Sequence, residues 1–214
     1  MENKSQGDIK VKLLTAALYL FNRFGFVNVR LQHIADEAGV SVGNLAYHFK
    51  TKDALIETAY QSILHTQEKL VTDLHHTPLF NTIDEYIRST FYFQQQYSFF
   101  FTDTLELIRA FPSLRQKHRK HLDWKIMQID WLLKATISRG ALHDPAEPDS
   151  LVLLAHRYVM MTESWMNFER MRGIDASKLE IKNYRLALWS LLSPYFTVKG
   201  IQEFQLLTST TNID

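Results

Sequence analysis

Apolar residues recur every three to four positions over most of this 214-residue chain, and runs that alternate with a period of two are almost missing. From Ile9 to Gly25 the residues Ile9, Leu13, Ala16, Ala17, Leu20, Phe21 and Phe24 share one helical stripe, which Gly25 ends. Short helices are expected over Leu31–Ala38 and Val42–His48, and Thr51 caps a longer one running from Lys52 towards Leu74. Pro78 marks the next break. Thr82 opens an aromatic-rich helical stretch with an irregularity near Ser98, and Pro112 closes or kinks the segment after it. Leu114–Ser138, Leu151–Met171 and Ala176–Leu192 complete the long helices; Asp144–Ser150 is a loop, and Pro194 and Gly200 bracket a tail. The fold class is all-α, with a small head over 1–51 and a helical bundle over 52–214.

Composition narrows the setting. Hydrophobic residues make up 46 % and charged residues 22 %, and cysteine is absent, which excludes disulfides and thiolate sites. The polar start MENKSQGDIK has no signal-peptide core, and every apolar run falls short of the ~18 residues of a membrane span. The expectation is a cytoplasmic protein with no membrane partner. A net charge of +1 means that nucleic-acid binding would depend on placed rather than plentiful basic residues.

The stretch IADEAGVSVGNLAYHFKTKDAL, Ile34–Leu55, has the spacings of a helix-turn-helix. Ala35 is small enough for a close helix crossing, Gly39 supplies the turn four residues later, and Ser41 caps the second helix. Leu45 and Phe49 face inward, which exposes Val42, Asn44, Tyr47 and His48 on a helix short enough to enter a major groove about 12 Å wide.

With FNRFGF upstream, this run resembles the DNA-binding domain of the TetR family of bacterial transcriptional regulators over Ile9–Tyr60. The resemblance implies a three-helix head, a fourth connecting helix, and a helical body that binds a ligand and forms a homodimer. Phe100, Phe101, Asp103, Leu107 and Pro112 also match a subgroup with GNL and YHF in the recognition helix. Two positions depart from the family. Arg30 stands where a hydroxyl residue usually caps the second helix, leaving Asn28 to cap from upstream; Ala46 replaces a tyrosine whose hydroxyl would hold a phosphate.

Candidate base contacts are Val42, for a thymine methyl; Gly43, for close backbone approach; Asn44, which suits adenine; and Tyr47 and His48. His48 reads equally as a base or phosphate contact or as a structural hydrogen-bonding group. Candidate phosphate contacts are Arg30, Gln32, His33, Ser41, Thr51 and Lys52. One head covers too little groove, so two heads on double-stranded DNA, with half-sites about 34–36 Å apart or a multiple of that, are expected. The apolar load of the last two long helices, Tyr158, Met161, Trp165, Leu186, Trp189 and Leu192, nominates them as the subunit face, the alternative being that this surface packs inside one subunit.

Phe91, Gln94, Gln95, Phe101, Glu106, Arg109, Trp124, Met127, Trp131 and His156 are candidates to line a cavity for an unknown, largely apolar small-molecule effector. The basic run Arg109, Arg115, Lys117, Arg119, Lys120, Lys125, Lys134 and Arg139 reads as a solvated helix face. His118 and His121, with Asp123 nearby, are half a metal site lacking a third ligand, and the adjacent His75 and His76 do not converge on a site. No metalloprotease helix, phosphate loop or nucleophile elbow is present. No catalytic residue, metal or cofactor is expected. The competing reading is a helical dimer that binds a ligand or protein and has lost specific DNA binding, with Ala46 as its main support.

Overall fold

The computed structural model describes residues 2–73, 79–145 and 150–211. Its helices are α1 (Glu2–Phe24), α2 (Leu31–Glu37), α3 (Val42–His48), α4 (Lys52–Asp73), α5 (Phe80–Gln96), α6 (Ser98–Ala110), α7 (Pro112–Ser138), α8 (Ser150–Met171), α9 (Ile181–Leu192) and α10 (Val198–Thr211). Among the described residues there is no strand, only an isolated antiparallel bridge between Leu142 and Phe196, so the protein is all-α. Leu74, His75, His76 and Pro78, and residues 146–149 of the expected loop, lie outside the described residues.

Three details differ from the periodicity. Pro112 follows the end of α6, as expected, but also opens α7, where the first turn needs no N–H, so α7 starts two residues before Leu114. The expected helix from Ala176 divides: Asp175 caps a 3-10 turn over Ala176–Lys178 by accepting from Ser177 N at 2.9 Å, and α9 starts only at Ile181. The tail after Pro194 is a helix, α10, that apolar spacing did not announce.

Packing against the end of α7 holds α10 in place. Thr197 Oγ1 donates to Gly140 O at 2.7 Å and Lys199 Nζ to Arg139 O at 2.8 Å, which satisfies carbonyls that a helix end leaves open. A Cβ at Gly200 would run into the carbonyl of Ala141, so glycine there permits the approach.

The chain forms two compact units, one of residues up to His65 with Tyr97–Gln116, the other of Thr66–Gln96 with Lys117 onward. In the first, Leu13, Ala17, Ile34, Ala35, Leu45 and Leu55 are fully buried. Phe21 meets Phe99 at 5.3 Å, Tyr60 meets Phe100 at 5.4 Å, and Phe26 meets Phe111 at 6.1 Å. Asn22 Oδ1 accepts from Ser98 Oγ at 3.1 Å and Phe99 N at 3.0 Å, capping α6 from α1 because Tyr97 provides no side-chain cap. The FF-D segment of the sequence is therefore core of this unit, with an irregular turn at Asp103 (φ −115°, ψ 18°).

In the second unit, α5 and α8 both pack on α9. Asp84 is the centre of that packing. It accepts from Arg185 Nε at 2.9 Å, Arg185 Nη2 at 2.7 Å and Trp189 Nε1 at 3.0 Å, with all three side chains buried.

Candidate nucleic-acid interface and effector body

The head's corner is built as its residues require. Gly25 (φ 75°) and Gly39 (φ 66°) take the left-handed conformation that ends α1 and α2. Gly39 N donates to Asp36 O at 3.1 Å and Val40 N to Ala35 O at 3.0 Å, closing the turn. Ser41 Oγ accepts from Asn44 N at 3.1 Å and Thr51 Oγ1 from Ala54 N at 3.2 Å, so each hydroxyl caps the helix it precedes.

Leu45 and Phe49 are buried, while Val42 is 40 % and Tyr47 70 % exposed. Gly43 and Ala46 are exposed; Asn44 and His48 are half-buried. The Tyr47 and His48 rings meet edge to face at 5.2 Å. One short helix thus presents its polar and small residues on a single outward face.

The missing hydroxyl at Arg30 has a substitute. His33 Nδ1 accepts from Arg30 N at 3.3 Å at the start of α2. Asn28 caps the other helix: its Nδ2 donates to Phe24 O at 2.8 Å, at the end of α1. Gln32 donates to Asp36 Oδ1 at 2.8 Å along its own helix. Arg30 is exposed. Lys52 Nζ donates to the carbonyl of Phe26 and, at 3.4 Å, to that of Val27, tying the start of α4 to the link between α1 and α2. Burial holds this ammonium below its ordinary value, against the opposing pull of Asp53. Sequence spacing overlooked two cations beside α3: Lys10, whose Nζ lies 5.7 Å from the Phe49 ring, and exposed Lys50. Lys50 follows α3 directly, whereas only packing brings Lys10 to it.

Within the second unit, some effector candidates are buried and others exposed. Phe91 and Gln94 are buried on α5 and Gln95 is half-buried. Trp124 stacks on His121 at 5.4 Å. Met127 and Trp131 are exposed, at 59 % and 42 %. Phe101, Glu106 and Arg109 belong to the first unit, the latter two on its surface. His156 is exposed, with Nδ1 2.8 Å from Val152 O. Helical spacing groups residues of one helix; it does not tell which faces of different helices meet.

The expected subunit face needs correction. Tyr158, Trp165, Trp189 and Leu192 are buried inside the unit, and of the six candidates only Met161 and Leu186 reach the surface. Both faces of α8 are apolar, so composition could not choose between them. The outward face carries Leu153, Met160, Phe168 and Met171. It borders a groove of about 650 Å³ that includes Met161, Trp165, Ala187 and Leu191, and a smaller one of about 370 Å³ that includes Leu122, Ile126, Val159 and His156.

A second correction concerns Lys125, which is 2 % exposed and ion-paired with Glu163 rather than solvated. Desolvation alone would lower its value; Glu163 and Tyr86 outweigh this and hold it raised. Burial would raise Glu163, but Lys125 keeps it lowered. His118 and His121 lie beside this pair, and Asp123 instead faces Arg119 on the surface. No group of three or more ligating side chains among the described residues fits a metal ion.

Burial, then the Lys125 charge and His118, lower His121 to about 4, against a partial opposing effect of Glu163. The folded state thus binds fewer protons than the unfolded one between pH 4 and 6.5, so stability is intact above 6.5 and falls as pH drops towards 4. The loss should reach about 3 kcal/mol for this residue, and the shift at His118 acts in the same direction. Urea titrations at pH 7 and 4.5 check this; His121→Phe should flatten the dependence.

Against this geometry, residues 13–59 match the model of bacterial regulatory proteins of the tetR family, and residues 65–204 match that of a bacterial transcriptional repressor, TetR. The chain belongs to the TetR family. As a TetR-family transcriptional regulator it shares 47 % identity over 55 residues with the HTH-type transcriptional regulator RutR of Escherichia coli (strain K12), a segment covering 26 % of each chain. Its TetR-family fold is also that of a transcriptional regulator from Marinobacter aquaeolei VT8, with TM-score 0.80, 23 % identity, and coverage of 92 % of this chain and 96 % of that one. A further match is a transcriptional regulator from Saccharomonospora viridis in complex with choline, with TM-score 0.68, 18 % identity, and coverage of 86 % and 95 %. No helix among the described residues of this TetR-family chain is long and apolar enough to cross a membrane.

Proposed function

We propose that this chain is a cytoplasmic, ligand-responsive repressor that binds a palindromic operator as a homodimer and is released by a small molecule. Residues 1–51 form the DNA-binding head and 52–214 the effector and dimerisation body. The observation that carries the reading is the outward face of α3, capped by Ser41 and anchored by Leu45 and Phe49. Val42, Gly43, Asn44, Tyr47 and His48 read bases from that face. Arg30, Gln32, His33, Ser41, Thr51 and Lys52, joined by Lys10 and Lys50, contact phosphates. The exposed apolar face of α8 and Leu186 of α9 support pairing with a second copy. A protein of the same fold that holds choline supports a small-molecule effector. The effector must favour one of two head spacings, or it shifts nothing.

Selection from random duplexes on the purified protein tests the reading; a symmetric operator is expected. Asn44→Ala should then relax preference at one symmetric pair of positions, by roughly 1–3 kcal/mol per contact. Lys10→Gln should weaken all sequences alike and reduce the salt slope by about 1.8 per dimer, about 0.9 for each phosphate that is no longer neutralised. Titration over 50–200 mM salt separates the two.

Ala46 is exposed on the same helix and favours the second reading, a helical module without specific DNA binding. Ala46→Tyr should tighten operator and non-operator binding alike, by roughly 1–3 kcal/mol for a charge-assisted bond. Failure of both wild type and this variant to select any duplex would favour the second reading.

A further inference from the structure

The second unit buries polar atoms that its own fold does not use. Thr90 Oγ1, Gln94 Oε1, Tyr158 OH and His121 Nε2 have no hydrogen-bond partner among the described residues, and the four residues are 3 %, 0 %, 2 % and 5 % exposed. Leaving such an atom unpaired is costly, and native interiors hold few.

Those of Thr90, Gln94 and Tyr158 are not scattered. Thr90 and Gln94 are one turn apart on α5. The Gln94 amide nitrogen donates to Thr162 O on α8 and lies 3.4 Å from Tyr184 OH on α9, which fixes the direction of its oxygen. Tyr158 is one turn before Thr162 on α8 and is an electrostatic neighbour of Tyr184. Aromatic rings pack around this amide: Phe91 meets Tyr184 at 5.6 Å, and Tyr184 meets Trp165 at 5.1 Å.

The chemistry selects a ligand class. Gln94 Oε1 only accepts, so it demands an N–H or O–H from its partner. Burial pushes the Tyr158 phenol well above its ordinary value, so it keeps its proton and can donate. The charges close by cancel, because Lys125 and Glu163 bind each other. An ionic ligand would bring an unpaired charge into this interior, which is strongly unfavourable. We propose that Thr90, Gln94 and Tyr158 form the polar end of the effector site, and that the effector is an uncharged molecule with an apolar body and a hydroxyl or amide end. The proposal rests on reading the body as effector-binding.

Thermal unfolding of wild type, Thr90→Val and Tyr158→Phe tests it, alone and with 1-hexanol, hexanoate or hexylammonium, which differ in head charge. Without probe, each variant should melt about 2–4 °C higher, because an unpaired polar atom has been removed. 1-Hexanol should raise the wild-type midpoint, raise it less in both variants, and act more strongly than either ion. Lower midpoints for both variants, no stabilisation by 1-hexanol, or equal stabilisation by an ionic probe would overturn the proposal. Failure of wild type to select DNA would refute the regulator reading and leave these midpoints as they are.

Discussion

Asp84→Ala should lower the stability of this protein by roughly 3–5 kcal/mol, the usual cost of breaking a buried ion pair by removing one partner. Asp84 accepts two hydrogen bonds from Arg185 and one from the Trp189 indole, and Arg185 is only 5 % exposed. Without the carboxylate, the buried guanidinium loses two charge-assisted hydrogen bonds, and Trp189 loses its acceptor between the Phe80 and Phe204 rings. Asp84→Ala combined with Arg185→Met should recover part of the loss, because it removes the buried charge as well. Urea unfolding followed by circular dichroism reads both. A loss under about 1 kcal/mol for the single variant would show that α5 and α9 do not depend on this pair.

The largest functional effect is expected at Met160. It is 63 % exposed on α8, between the two grooves. Met160→Glu places a charge on the proposed subunit face without touching the interior, so circular dichroism should be unchanged while sedimentation shows monomers. Two heads held together bind with an effective concentration that one head lacks, so operator affinity should fall about 10²–10⁴-fold. An unchanged dimer would move the interface elsewhere. Trp189→Glu would not test the same face. Trp189 is 2 % exposed, and the substitution should unfold the body rather than divide it.

The head was legible because its determinants are local. Gly39, Ser41, Leu45 and Thr51 act within a few residues of themselves, through turn, cap and anchor, and the bonds they make are those their spacing implies. The helix caps around Arg30 were less legible, since His33 and Asn28 each had more than one backbone partner within reach.

What sequence alone determined was the all-α class, the family and the corner that presents α3. Each follows from periodicity or from residues adjacent in the chain. Tertiary structure decided which side of each long helix faces inward. Lys125 looked like one more charge in a basic run until Glu163, 38 residues away, was placed against it. Tyr158 and Trp165 looked like surface for a partner until neighbouring helices covered them, with Trp165 meeting Phe91 of α5 and Tyr184 of α9. A helix apolar on both sides, or charged on both, carries no signal for its own orientation, and only the neighbours that the fold supplies choose the buried face.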